Sequence, residues 1–84
     1  MKFRAEINVM PHKALLDPQG KAVSSSMKNI GLAEISEVRI GKHIHLEVEA
    51  TNQTDAEAKV DAACKKLLTN QITEFYEFQI FENA

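Results

Sequence analysis

Glu37-Val38-Arg39-Ile40-Gly41-Lys42-His43-Ile44-His45-Leu46-Glu47-Val48-Glu49 is the stretch on which the fold turns. Val38 and Ile40 alternate with Glu37 and Arg39, and Ile44, Leu46 and Val48 alternate with His45, Glu47 and Glu49. Period-two alternation on both sides of a Gly-Lys pair predicts a β-hairpin. All the apolar residues are even-numbered, and directly paired residues share a face. A two-residue loop would set Ile40 against His43. A three-residue connection, Gly41-Lys42-His43, pairs Ile40 with Ile44 and Val38 with Leu46. The parity therefore predicts that turn, or a bulge, with Gly41 or Lys42 in an unusual conformation.

Upstream, Asp17-Pro18-Gln19-Gly20 is an explicit helix start. Asp17 can cap the free N–H groups of the first turn, and Pro18 suits the first helical position. Gly20 is a poor helix former, so its presence predicts a close approach of other chain to that turn. Val23, Met27 and Ile30 recur at helical spacing, Gly31 is a left-handed stop, and Leu32 can fold back on the last turn. Further upstream, Phe3, Ala5, Ile7 and Val9 alternate with Lys2, Arg4, Glu6 and Asn8, which predicts a strand ended by Pro11.

Downstream, Thr54-Asp55-Ala56-Glu57 fits a capping box. The helix after it buries Ala56, Val60, Ala63, Cys64 and Leu67 by spacing, with Lys65 and Lys66 near its C-terminus and Asn70 as a left-handed stop. Glu74 to Phe81 is a last strand with Tyr76, Phe78 and Ile80 on one face. Strand, helix, strand, strand, helix, strand is the ferredoxin-like βαββαβ arrangement: α+β, an antiparallel sheet with both helices on one face. Its second and fourth strands lie at the edges. The helix-free face would carry Arg4, Glu6, Asn8, Glu37, Arg39, His45, Glu47, Glu49, Phe75, Glu77, Gln79 and Phe81. Two large aromatics on an edge strand, rimmed by charge, predict a protein–protein surface formed by Phe75, Phe81, Arg39 and His45.

The bulk properties bound the rest. Eighty-four residues make one domain, 1–84, and a chain this short buries only about 60–65% of its unfolded surface. Association is a natural remedy. A net charge of −2 argues against a nucleic-acid module, and mixed charges argue against a membrane surface. A single cysteine excludes a disulfide framework within the chain and fits a reducing cytoplasm. Arg4, Glu6 and Asn8 interrupt any signal-like apolar stretch at the N-terminus, and no segment approaches the length of a membrane helix.

No constellation of catalytic residues emerges. Cys64 sits on an apolar stripe, where a thiol is inert. His43 and His45 could share a strand face, but zinc needs a third and usually a fourth ligand; no Cys or acidic residue sits at a telling spacing, and His12 is only a remote candidate. Gly20-Lys21 and Gly41-Lys42 lack the phosphate-loop context, and Asp17 would repel a phosphate at the helix start. Glu47 and Glu49, with Glu37 opposite Glu47, read as a solvated charged face with Arg4 or Arg39 in compensation. No catalytic, cofactor-binding or metal-binding residue is expected.

LDPQGKAV (16–23), VRIGKHIHLEVEA (38–50) and CKKLLTNQITEFYEFQI (64–80), taken together, resemble PurS, the small subunit of phosphoribosylformylglycinamidine synthase. The resemblance runs nearly end to end. Gln71 stands where the family often has Pro, Phe75 where an acidic residue is common, and 24–36 is this chain's own. The resemblance implies a non-catalytic assembly subunit of purine biosynthesis. It implies a homodimer or dimer of dimers that bridges a large synthetase subunit and a glutaminase subunit. ATP and magnesium would be used by the synthetase, with none bound by this chain. The alternative from another class is a ferredoxin-like module that senses a small molecule.

Overall fold

In the computed structural model, residues 1–12 and 17–83 are described; Leu16, the first residue of the LDPQGKAV motif, lies outside them. The elements are β1 (Lys2–Pro11), α1 (Pro18–Ser26) continued by a 3-10 turn (Met27–Ile30), β2 (Lys42–Glu49), α2 (Gln53–Ala63) continued by a π turn (Cys64–Leu68), and β3 (Glu74–Asn83). The sheet is antiparallel, in the order β2-β1-β3. This is the α+β, ferredoxin-like class, with three strands among the described residues where four were expected.

The alternation in β1 does what its period requires. Phe3, Ala5, Ile7 and Val9 are buried beneath α2 and its π turn, where Ala56 and Val60 of the helix and Cys64 of the turn meet them. Ile44, Leu46 and Val48 from β2 and Tyr76, Phe78 and Ile80 from β3 close the same layer. Burial of side chains this size stabilises by roughly 1.5–3 kcal/mol each, so this single layer is the protomer's main source of stability.

The predicted strand at 37–40 does not form, and neither does the hairpin. Its backbone is bonded to the start of α1 instead. Asp17 caps the helix by accepting from Gly20 N at 3.1 Å, and its other oxygen accepts from Ile40 N at 2.9 Å. Ser24 Oγ accepts from Val38 N at 2.8 Å. Glu37, left-handed at φ 56, turns the chain toward this clasp. The close approach expected at Gly20 is to Val38: a Cβ on Gly20 would lie 2.2 Å from the Val38 carbonyl oxygen. Gly41 is likewise set by proximity, to Val9 and Met10, and neither it nor Lys42 has positive φ. His43 consequently belongs to β2 rather than to a turn.

α1 departs from expectation as well. Gly31 stops the helical stretch in the left-handed region (φ 82), and Leu32 N donates to Met27 O at 2.9 Å, as expected. Yet only Gly20 is buried on α1, and Ile30 is 68% exposed. The helix makes its contacts with the 38–40 segment rather than lying beside α2 on the sheet. In α2 the cap is Asn52, not Thr54: its side chain accepts from Asp55 N at 2.8 Å, while Asp55 reaches back to Thr51 N. The π turn moves the apolar register by a residue, so Leu68 packs on the core and Leu67 is exposed. Thr69 ends the turn in extended conformation, its N–H and hydroxyl both bonded to Cys64 O, and Asn70 is not left-handed.

The clasp predicts an acid sensitivity. The N–H groups of Ile40 and Gly20, with Arg39 nearby, hold the Asp17 carboxyl below its ordinary value. A carboxyl depressed on folding contributes stability above its unfolded pKa, near 3.9, and that contribution is lost as pH falls through the folded value. Urea titrations of the wild type and Asp17→Asn at pH 7 and pH 3 should therefore converge in the acid. An unchanged difference between the two proteins at both pH values would contradict this.

Candidate functional site

The face of the sheet opposite α2 is open. Its rows follow from the register: Phe81, Arg4 and Glu47; then Gln79, Glu6 and His45; then Glu77, Asn8 and His43; then Phe75 beside Met10. The predicted helix-free face is thus present, and Phe75, Phe81 and His45 lie on it. Arg39 and Glu37 do not, because their segment is held by α1 instead of joining the sheet.

Three groupings organise this face. At one end the Arg4 guanidinium lies 4.4 Å from the Phe81 ring centroid, with Nε 3.5 Å from Glu6. The second grouping links the central and edge strands. His43 Nε2 lies 2.7 Å from one Glu6 oxygen, and His45 Nδ1 lies 2.5 Å from the other. Both bonds hold the Glu6 carboxyl below its ordinary value, that to His43 most strongly. At the other end His12 packs on Phe75 with ring centroids 5.7 Å apart, and the Arg39 guanidinium donates to the His12 carbonyl at 2.6 Å. Arg39 therefore reaches the Phe75 end through His12, although it lies off the sheet. Phe75 is 42% exposed and Phe81 39%. They stand six positions apart along the strand, roughly 20 Å.

The groups weighed for chemistry are accounted for structurally. Cys64 is fully buried, and burial, with Asp61 nearby, pushes its thiol up. Asp61 also accepts from the Tyr76 hydroxyl, which raises that phenol to about 12. Glu49 pairs with the N-terminal ammonium at 3.2 Å, and Glu47 lies opposite Arg4. No group of three His, Cys, Asp or Glu side chains among the described residues is placed to hold a metal. Sequence reasoning missed Glu6 as the partner of both histidines, because only the β1–β2 register brings them together.

An α2-backed sheet whose other face is open, charged and aromatic at both ends defines a class: a small α+β interaction module. The sequence profile of the PurS family, phosphoribosylformylglycinamidine (FGAM) synthase, matches residues 4–82. The chain is 38% identical to phosphoribosylformylglycinamidine synthase subunit PurS of Synechocystis over 93% of its length and 78% of that protein's. It is 32% identical to the Bacillus subtilis subunit PurS over 95% and 94% of the two chains. Among solved structures it is similar to a chain of PurLQS from Thermotoga maritima, with a TM-score of 0.87, 33% identity, and 96% and 99% of the two chains covered. The chain belongs to the PurS family.

No helix among the described residues is long and apolar enough to cross a membrane.

Proposed function

We propose that this chain is the non-catalytic assembly subunit that joins the synthetase and glutaminase subunits of phosphoribosylformylglycinamidine synthase in the cytoplasm. The observation that carries the reading is the near full-length likeness to a chain of the Thermotoga maritima PurLQS structure, together with an open face suited to docking. In this reading the glutaminase releases ammonia from glutamine. The synthetase uses ATP and magnesium to activate the amide oxygen of formylglycinamide ribonucleotide, and ammonia displaces it to give the amidine, glutamate, ADP and phosphate. The small subunit binds none of these. It holds the two larger subunits together, which raises their effective concentration for one another.

A second copy belongs to the same reading. The radius of gyration is 16.5 Å, against about 12 Å for a compact domain of this length. The outer edge of β2 has no strand partner among the described residues, and Ile30, Leu32 and Ile35 are exposed. An edge left open in this way invites pairing. Light scattering of the purified chain at micromolar concentration should give at least twice the 9.4 kDa protomer mass; a monomer would remove the second copy from the reading.

The assembly role is tested by reconstitution. Amidine formation from glutamine by the synthetase and glutaminase subunits should require this chain, and the chain alone should turn over nothing. Full glutamine-dependent activity in its absence would overturn the role.

A further inference from the structure

His12 is fixed at three points. Its N–H donates to the Thr73 carbonyl at 2.9 Å, just before β3 begins. Its own carbonyl accepts from the Arg39 guanidinium at 2.6 Å. Its ring packs on Phe75, with centroids 5.7 Å apart and the two planes 35° from each other. Arg39 is held in turn by the clasp at the start of α1. Its Nε lies 4.0 Å from Asp17, and Asp17 accepts from the N–H of the next residue, Ile40, at 2.9 Å. The same segment reaches the other neighbour of Phe75. Met10 stands opposite Phe75 in the register, and a Cβ on Gly41 would lie 2.4 Å from Met10 Sδ. Residues 39–41 thus hold both residues that flank Phe75, His12 by its carbonyl and Met10 by close contact at Gly41.

We propose that Arg39 is a positioning residue for docking: from the α1 clasp it holds His12 against Phe75, and so presents that ring to the partner in one orientation without itself touching the partner. Strand β1 ends at Pro11, and a strand end frays when little ties it down. With the Thr73 bond alone, His12 could swing about its free carbonyl. The second bond fixes the peptide groups on both sides of the residue, and with them the direction of the ring. A guanidinium donor makes that bond about twice as strong as a neutral one. The Arg39 side chain is only 29% exposed, so water competes little for it. An aromatic anchor ordered before binding does not have to be ordered during it, and affinity rises accordingly. The Phe81 end is framed differently. Its ring is covered by Arg4 of β1 at 4.4 Å, a contact made within the sheet. The two ends of the open face are therefore unequal, and only the Phe75 end depends on the clasp.

The full-length chain, free and with its partner subunits, tests this. In the free chain, nuclear Overhauser effects should join the His12 and Phe75 rings in the wild type and be lost in Arg39→Gln. Their persistence in Arg39→Gln would overturn the proposal. Binding to immobilised synthetase and glutaminase subunits should weaken by about threefold to tenfold in Arg39→Gln, the cost of ordering one side chain on binding. The same loss should appear when Arg39→Gln is added to Phe81→Ala, and disappear when it is added to Phe75→Ala. A loss that persists on top of Phe75→Ala would mean that Arg39 meets the partner directly or acts through the whole fold, and would overturn the positioning role. His12→Ala removes the ring and leaves both backbone bonds, so it repeats the cycle should Arg39→Gln fail to fold. It should weaken binding to the same extent, again only where Phe75 is present. The docking measurements rest on the assembly reading above, whereas the ring contact does not. Unchanged binding in Arg39→Gln beside a clear loss in Phe75→Ala would sink the positioning role alone. Unchanged binding in Phe75→Ala would remove that ring from the docking surface and the positioning role with it, while reconstitution decides the assembly reading separately.

Discussion

Replacing Phe75 and Phe81 together by aspartate should abolish assembly with the synthetase and glutaminase while leaving the chain folded. Both rings lie on the open face, on the side of β3 away from α2. Neither belongs to the core clusters, which take Tyr76, Phe78 and Ile80 from the same strand. The folded protomer loses little: the Arg4 contact to Phe81 and the His12 contact to Phe75 are surface contacts, and such substitutions ordinarily change stability within about 0.5 kcal/mol. A docking partner loses much more. Exposed aromatics that anchor an interface contribute about 2 kcal/mol or more each, roughly 30-fold per ring, and two carboxylates would add desolvation costs and repulsion from Glu77. Binding to immobilised partner subunits should weaken by about 1,000-fold if the two ends act independently, with an unchanged thermal midpoint. Affinity within threefold of wild type would place the docking surface elsewhere.

Gly20→Ala should destabilise the protein, against the usual direction for a helix. Inside a helix Ala is better than Gly by about 1 kcal/mol. Here the new Cβ would meet the Val38 carbonyl oxygen at 2.2 Å and an Asp17 carboxylate oxygen at 2.6 Å. Val38 cannot yield alone, because Val38 N is bonded to Ser24 and Ile40 N to Asp17. Forced relaxation of a packed contact costs about 1–3 kcal/mol, which outweighs the gain in propensity. For a chain of this length each kcal/mol lowers the melting midpoint by about 4–8 °C. Calorimetry should show a fall of that order, and Ser24→Ala, which removes one strut of the clasp without a clash, should show a smaller one. A rise in midpoint for Gly20→Ala would mean that the clasp is looser than its geometry.

Much of this was legible in the chain, for identifiable reasons. Strand β1 and the inward residues of β2 and β3 followed from alternation, because a half-buried strand must alternate. Asp17, Pro18 and Gly31 marked the helical stretch because they answer local backbone needs. The 37–40 segment misled because Val38 and Ile40 alternate like a strand, while the groups that capture their N–H bonds, Asp17 and Ser24, are more than ten residues away. Gly20 carried the one local hint of that capture. The start of α2 was misplaced because Asn52 and Thr54 are both good caps, and the π turn left no mark in periodicity before Leu67. On the open face, Phe75, Phe81 and His45 were legible from parity. The bonds from Glu6 to His43 and His45 were not, since they depend on a register between strands that no turn connects directly.

The position of β1 in the middle of the sheet also has a consequence in time. Its pairings span from 33 residues (Val9 to Lys42) to 81 residues (Lys2 to Asn83). Loop closure grows slowly with length, about 0.6 kcal/mol per doubling, so the equilibrium is little affected. The rate is affected, because such distant pairings must be found before they are rewarded. Among the described residues no hairpin nucleates the sheet, and the chain must search out both neighbours of its first strand, so refolding is slow beside that of a helical bundle of equal length.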